Sequence, residues 1–358
     1  MEYRIQKLRD KLKENNLDAA IVTGRPNTLW LSGFTGSTSY LLIGLNKSYL
    51  IVDFRYTIQA KQQVFKGIEV IQYEDSFFTT LNTLISQDNI KNIGFEGNIV
   101  SYKEYLDLKE KLTNAKSLEN IGDTIEKLRI IKDRDEIGRI QEAVLLGDKV
   151  FDRIVNFIKP GMKETEIAAE LEYIMRKLGA EGPSFQSIVA AGARSAMCHG
   201  TASDYVLKKG DALVLDFGVI YRNYCSDMTR TIFIGEPEKE PKEIYQTVKE
   251  AQQAVLDTIK PGISGYEADK IARDIIKKAG YGDNFGHGLG HGVGIEIHEA
   301  PRLSIKSKDI LTDGMVFSVE PGIYVEGLGG VRIEDMVAFV DGKLKNFTTS
   351  TKELIVVN

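Results

Sequence analysis

The chain has 358 residues, more than one hydrophobic core ordinarily supports, so two domains are expected. Its composition, 42% hydrophobic and 27% charged, is that of an ordinary globular protein. A formal net charge of −5, with Lys and Arg interleaved among Asp and Glu, offers no attraction to phosphate backbones or anionic membranes, which argues against nucleic-acid and membrane partners.

The first ten residues, Met1 to Asp10, carry charges where a secretory signal needs an apolar run, and no apolar stretch is long enough to span a bilayer. Two cysteines, Cys198 and Cys225, are too few for a disulfide framework and suit a reducing compartment. A cytoplasmic location is expected.

In chain order, Ile5, Leu8, Leu12 and Leu17 predict an amphipathic first helix. Residues 19–23 and 48–52 are strand-like, and Tyr102, Tyr105, Leu106, Leu108 and Leu112 predict another helix. This leading half, residues 1–122, has no histidine and no cysteine and is a poor host for chemistry. Leu128, Ile131, Ile137, Ile140, Val144 and Phe151 then predict one long helix from about Thr124 to Ile158, stopped by Lys159-Pro160-Gly161. The domain boundary is placed just before it, giving domains 1–122 and 123–358.

The second domain repeats itself. Ile158-Lys-Pro-Gly161 returns as Ile259-Lys-Pro-Gly262, and at the same offset of 101 residues Glu166 matches Glu267 and Gly179 matches Gly280. Each copy is followed by a histidine and two acids: His199, Asp216 and Asp227, then His298, Glu320 and Glu334. One domain built from two related halves around a pseudo-two-fold axis is expected, with the site between them.

If residues 212–218 and 224–234 form a hairpin turning at Tyr221 and Arg222, Asp216 and Asp227 stand directly opposite each other. The same construction over residues 316–324 and 330–340 opposes Glu320 and Glu334. Sequestered like charges must gain protons or find cations. Four carboxylates with the imidazole of His291 offer what two divalent ions need; oxygen-rich ligation favours Mn²⁺, Co²⁺ or Fe²⁺, with Zn²⁺ compatible. The expected metal ligands are Asp216, Asp227, His291, Glu320 and Glu334. Residues 288–294 lack the spacing and preceding strand of a dinucleotide loop, and His287-Gly-Leu-Gly-His291 lacks the glutamate of a zinc-protease helix.

Leu215-Asp-Phe-Gly218, Ser226-Asp-Met-Thr-Arg-Thr231, residues 287–294, Ser318-Val-Glu-Pro-Gly322 and Gly330-Val-Arg-Ile-Glu-Asp335 resemble the motifs of the Xaa-Pro peptidases, the prolidases and aminopeptidases P of the methionine-aminopeptidase superfamily. The resemblance covers essentially the whole chain. It implies an α+β architecture: a C-terminal pita-bread catalytic domain preceded by a smaller creatinase-like α/β domain that caps substrate and makes a homodimer. It implies hydrolysis of the bond before proline, by water activated between two metal ions, Mn²⁺ or Co²⁺ before Zn²⁺ or Fe²⁺.

In that scheme Glu320 is both ligand and proton shuttle, His298 stabilises the tetrahedral intermediate and His199 positions the proline side of the substrate. Arg332, two residues before Glu334, is expected to support a ligand carboxylate. Arg302 is a candidate to receive a substrate carboxylate, favouring dipeptides. Two departures stand out: Cys198 where proline is usual, and Asn223 where glycine is frequent. The rival readings are a non-catalytic or metal-independent creatinase-like protein, which would lose metal ligands, and a methionine aminopeptidase, which would lack the leading domain.

Overall fold

The computed structural model describes residues 2–358, which divide into two compact units, one ending at Arg129 and the other running from Ile130 to Asn358.

The first unit is an α/β layer. Its helices are α1 (Glu2–Glu14), α2 (Arg25–Ser32), α3 (Thr57–Gln63), α4 (Phe77–Gln87), α5 (Tyr102–Lys111) and α6 (Thr124–Arg129). The strands are β1 (Ala19–Val22), β2 (Tyr40–Gly44), β3 (Ser48–Val52), β4 (Glu69–Gln72), β5 (Asn92–Phe95) and β6 (Ser117–Asn120), in the order β4-β3-β2-β1-β5-β6. The central strands β1 and β3 are buried throughout, as their unbroken apolar runs require. Ile5, Leu8 and Leu12 form the buried face of α1, whereas Leu17 is buried beyond its end. On α5 only Leu108 is buried, with Leu112 closing the helix as its C-cap.

The predicted single helix over residues 124–158 is two helices. α6 stops at Arg129, and α7 (Arg134–Phe157) starts afresh at Asp133, whose side chain accepts from the Glu136 amide while Glu136 accepts from the Asp133 amide. This reciprocal capping satisfies two amides that a continuous helix would have bonded internally. α6 therefore belongs to the first compact unit, and the boundary falls after Arg129 instead of at 122.

The second unit is built twice. In the first half come α7, α8 (Glu164–Lys177), β7 (Gly182–Pro183), β8 (Ile188–Ala191), β9 (Ala212–Phe217), β10 (Val219–Tyr221), β11 (Tyr224–Cys225) and β12 (Met228–Ile234). The second half contains α9 (Lys239–Thr258), α10 (Gly265–Lys278), β13 (Gly290–Gly292), β14 (Glu299–Leu303), β15 (Val316–Val319), β16 (Gly322–Val325), β17 (Gly329–Arg332), β18 (Asp335–Val340) and β19 (Lys343–Asn346). The terminal strand β20 (Val356–Val357) returns to pair with β12.

The two halves share their joints. Gly161 and Gly262 both take positive φ, 88° and 99°, and their amides reach Leu207 and Leu311 at 2.9 and 2.8 Å. Glu166 and Glu267 each accept the amide three residues earlier, from Lys163 and Ser264. The helices pack on β8-β9-β12 in one half and on β13-β15-β18 in the other, each over its own apolar cluster.

Candidate metal centre

Each hairpin's ladder is interrupted next to its acids. In the first, Arg222 and Asn223 take φ of 51° and 65°, the left-handed pair of a two-residue turn. Tyr221 therefore pairs with Tyr224, and Asp216 with Thr229. This corrects the expected register: the turn centres one residue later, and Asp216 and Asp227 are diagonal rather than directly opposed. Pairing is interrupted at Gly218, where a Cβ would meet the Ser226 carbonyl oxygen at 1.8 Å, so only glycine lets the strands approach.

The second hairpin keeps the expected register, with Val319 opposite Asp335 and Gly322 opposite Arg332. Glu320 and Glu334 fall in the gap between those pairs, facing each other. Pro321, which has no N–H to give, lies in the same gap.

All five expected ligands line one cavity of about 530 Å³. Ligand atoms of Asp227, His291 and Glu334 lie within 4.8 Å of one another. His291 Nε2 stands 3.6 Å from Asp227 Oδ2 and 3.4 Å from Glu320 Oε1. Its Nδ1 bonds the Gly292 carbonyl, which fixes the tautomer that leaves Nε2 free to donate a lone pair. Burial pushes this imidazole down to about 4, so it is neutral.

Asp227 and Glu334 are raised well above the carboxylate range, first by burial and then by the neighbouring acids. Burial likewise pushes Glu320 up to about 8, with Asp216 adding to the rise. Among the described residues, Asp216 Oδ1, Asp227 Oδ1 and Glu334 Oε1 are buried oxygens with no hydrogen-bond partner. Orphaned carboxylate oxygens converging beside a neutral imidazole fit a divalent cation, which would satisfy the oxygens and remove the repulsion.

A polar shell holds these groups. Thr229 donates to Glu334 Oε2 at 2.8 Å and accepts from Arg332 Nε at 3.0 Å. Ser318 donates to Glu320 Oε1 at 3.2 Å and receives the His291 amide at 3.1 Å. Arg332 pairs through Nη2 with Asp216 Oδ2, so the carboxylate it touches is Asp216 rather than its near neighbour Glu334. Its Nη1 donates to the Tyr324 hydroxyl at 2.7 Å, and that hydroxyl meets His287 Nε2 at 2.8 Å.

His199, His298 and Arg302 line the same cavity, and all three are exposed. The His298 ring packs edge-on against His291 with centroids 4.4 Å apart. Cys198 lies on the rim, while Cys225 is buried, its thiol pushed up to about 12 by burial; both are free.

Sequence reasoning assigned no part to Thr229, Ser318, Tyr324 or His287. Two of them, Thr229 and Ser318, sit two residues from a ligand inside the quoted motifs, where alternation along a strand would have placed them on the ligand face.

A duplicated α/β unit with a histidine and four acids gathered between its halves defines a metallohydrolase of the pita-bread fold. The chain matches metallopeptidase family M24 over residues 138–341 and the creatinase/prolidase N-terminal domain over residues 4–131. It belongs to family M24.

The chain is 39% identical over 357 residues to the Xaa-Pro dipeptidase of Pyrococcus horikoshii, covering 99% of each. It is 42% identical to the solved Xaa-Pro dipeptidase from Bacillus anthracis, with a TM-score of 0.96 over 99% of both chains. The solved X-Pro aminopeptidase from Thermotoga maritima is also 42% identical, with a TM-score of 0.91 over 96% of this chain and 98% of that one.

Proposed function

We propose that the protein is an Xaa-Pro peptidase that hydrolyses the bond before proline, with Xaa-Pro dipeptides as its substrates. The observation that carries this is the convergence of Asp227, His291 and Glu334 within 4.8 Å, in one cavity with Asp216 and Glu320. Those five side chains would hold two divalent ions, with Mn²⁺ or Co²⁺ favoured by an oxygen-rich set containing one imidazole. Bound there, the ions supply an acidified water and an electrophile for the scissile carbonyl.

The chain's own groups do the rest. Glu320, whose side chain is 17% exposed where Asp227 is 6%, is the acid that substrate can reach. It takes a proton from the attacking water and delivers it to the departing proline nitrogen. His298 stands beside His291 on the open side, suited to donate to the tetrahedral oxygen, and His199 positions the proline end. Phe185, Ile188 and Leu303 give the cavity an apolar wall suited to a pyrrolidine ring. Arg302, exposed at the cavity, receives the terminal carboxylate of a dipeptide.

A homodimer in the cytoplasm, the first unit of one subunit capping the substrate site of the other, completes the reading; a chain with only two cysteines suits that compartment. The test is turnover of Ala-Pro, amidated Ala-Pro and Ala-Pro-Yaa peptides by the parent protein and Arg302→Ala, with metal analysis of the same samples. Preference for the free dipeptide, lost in Arg302→Ala, is expected. Release of methionine from Met-Ala peptides without preference for proline would refute the assignment.

A further inference from the structure

Behind the ligand cage lies a cation that the reaction scheme does not use. Arg230, on β12, is 1% exposed. A guanidinium has five N–H donors in a fixed fork, and here each has an acceptor. Nε reaches the Thr351 carbonyl at 2.9 Å; Nη1 reaches the Thr229 carbonyl at 2.9 Å and the Glu334 carbonyl at 2.5 Å; Nη2 reaches Asp335 Oδ1 and the Ser350 carbonyl, both at 2.7 Å.

The acceptors come from three separate stretches. Thr229 follows Asp227 on the first hairpin, Glu334 and Asp335 lie on the second, and Ser350 and Thr351 lie near the end of the chain. That last segment is itself pinned. Asp148 on α7 accepts the amides and hydroxyls of Thr349 and Ser350 at 2.5–2.9 Å. Asp335 Oδ2 also takes Lys352 at 3.1 Å and Asn346 at 2.7 Å. One planar group thus sets the spacing between β12, which begins just after Asp227, and β18, which begins just after Glu334.

We infer that Arg230 is a positioning residue for the metal centre, and that the segment Ser350–Lys352 belongs to the frame that shapes it. Arg230 touches no ligand side chain; it acts through the main chain of Glu334 and Thr229. Lysine, with three donors and no planar fork, leaves carbonyls unanswered and lets the hairpins shift. The inference rests on the metal reading above.

The test compares the parent protein with Arg230→Lys, Asp335→Asn and Ile167→Val, the last a buried change on α8, which contributes no residue to the cavity lining. Each is titrated with Mn²⁺, and the visible absorption of the Co²⁺-loaded form is recorded, with folding checked by circular dichroism. Arg230→Lys is expected to bind Mn²⁺ about 10–100-fold more weakly, the range typical of outer-shell changes, with an altered Co²⁺ spectrum. Asp335→Asn is expected to move both readouts in the same direction. Ile167→Val is expected to melt earlier with the spectrum unchanged, which a merely destabilising role would not separate.

A folded Arg230→Lys with parental affinity and spectrum overturns the inference. Should that variant fail to fold, Asp335→Asn decides by the same two readouts, parental values again overturning it. Failure of the parent protein to bind either ion would be a different result, sinking the metal reading on which the inference stands.

Discussion

Thr229 stands directly across the ladder from Asp216, and its single hydroxyl both donates to Glu334 and accepts from Arg332, the partner of Asp216. One small side chain therefore joins an acid from each half of the repeat. Thr229→Val keeps the shape and removes the hydroxyl, leaving a buried guanidinium N–H unanswered at a cost of about 1–3 kcal/mol. We expect a lower melting temperature and about 10-fold weaker metal binding, with Thr229→Ser recovering both. Calorimetry and Mn²⁺ titration check this; a Val variant equal to the parent in both would disprove the coupling.

Glu320 combines ligand and proton carrier, so its loss should affect turnover far more than folding. Glu320→Ala is expected to lower kcat by at least ~10²-fold. Steady-state kinetics on Ala-Pro, with circular dichroism on the same sample, provide the check. Substantial residual activity would refute the role.

The acids give the metal-free protein a pH dependence with a definite sign. Glu320 is pushed from 4.5 up to about 8, and Asp227 and Glu334 are also raised. A folded-state pKa above the unfolded one favours the protonated fold, so this stabilisation is complete below the unfolded value and is lost as pH rises through the folded one. Below 6.5 the buried imidazoles His287 and His291, pushed down to about 4, act in the opposite sense. The clean window therefore runs from about pH 6.5 to 8.5, where chelator-treated protein should melt progressively earlier and the Mn²⁺-loaded form should change little. A metal-free melting temperature that climbs across this window would contradict the burial of these carboxyls.

In the first unit, Glu96 is fully buried and accepts from the Thr23 and Gly24 amides at 2.6 and 2.8 Å and from the Asn27 amide at 2.7 Å. Glu96→Ala strands these donors and should cost about 1–3 kcal/mol. Denaturant unfolding of the intact chain measures it; an unchanged midpoint for the transition would show that water replaces the carboxylate without penalty.

How much of this was legible in the sequence depended on whether the deciding contacts were local. The repeat could be read because Gly161 and Gly262 mark turns whose signals lie within a few residues. The Glu320–Glu334 pairing could be read because its glycine-rich turn centres the hairpin. The Asp216 pairing came out wrong because the turn residues are Arg222 and Asn223, and an arginine at positive φ carries little composition signal. The break after Arg129 was written in Asp133-x-x-Glu136 but hidden by apolar spacing that continues through it. The parts of Arg230 and Tyr324 depend on partners remote in sequence, which periodicity does not see, whereas alternation puts Thr229 on the face of Asp227 without naming its partners Glu334 and Arg332.

The interrupted ladders at Gly218 and Pro321 carry an evolutionary constraint of their own. A change that mended either seam would extend a regular strand past the point where its acid turns inward, and every further rung would make the sheet stronger and the cage poorer. Selection for rigidity and selection for catalysis thus pull apart at those two places, so laboratory stabilisation of this scaffold should be sought in its helices and outer loops, leaving the seams open.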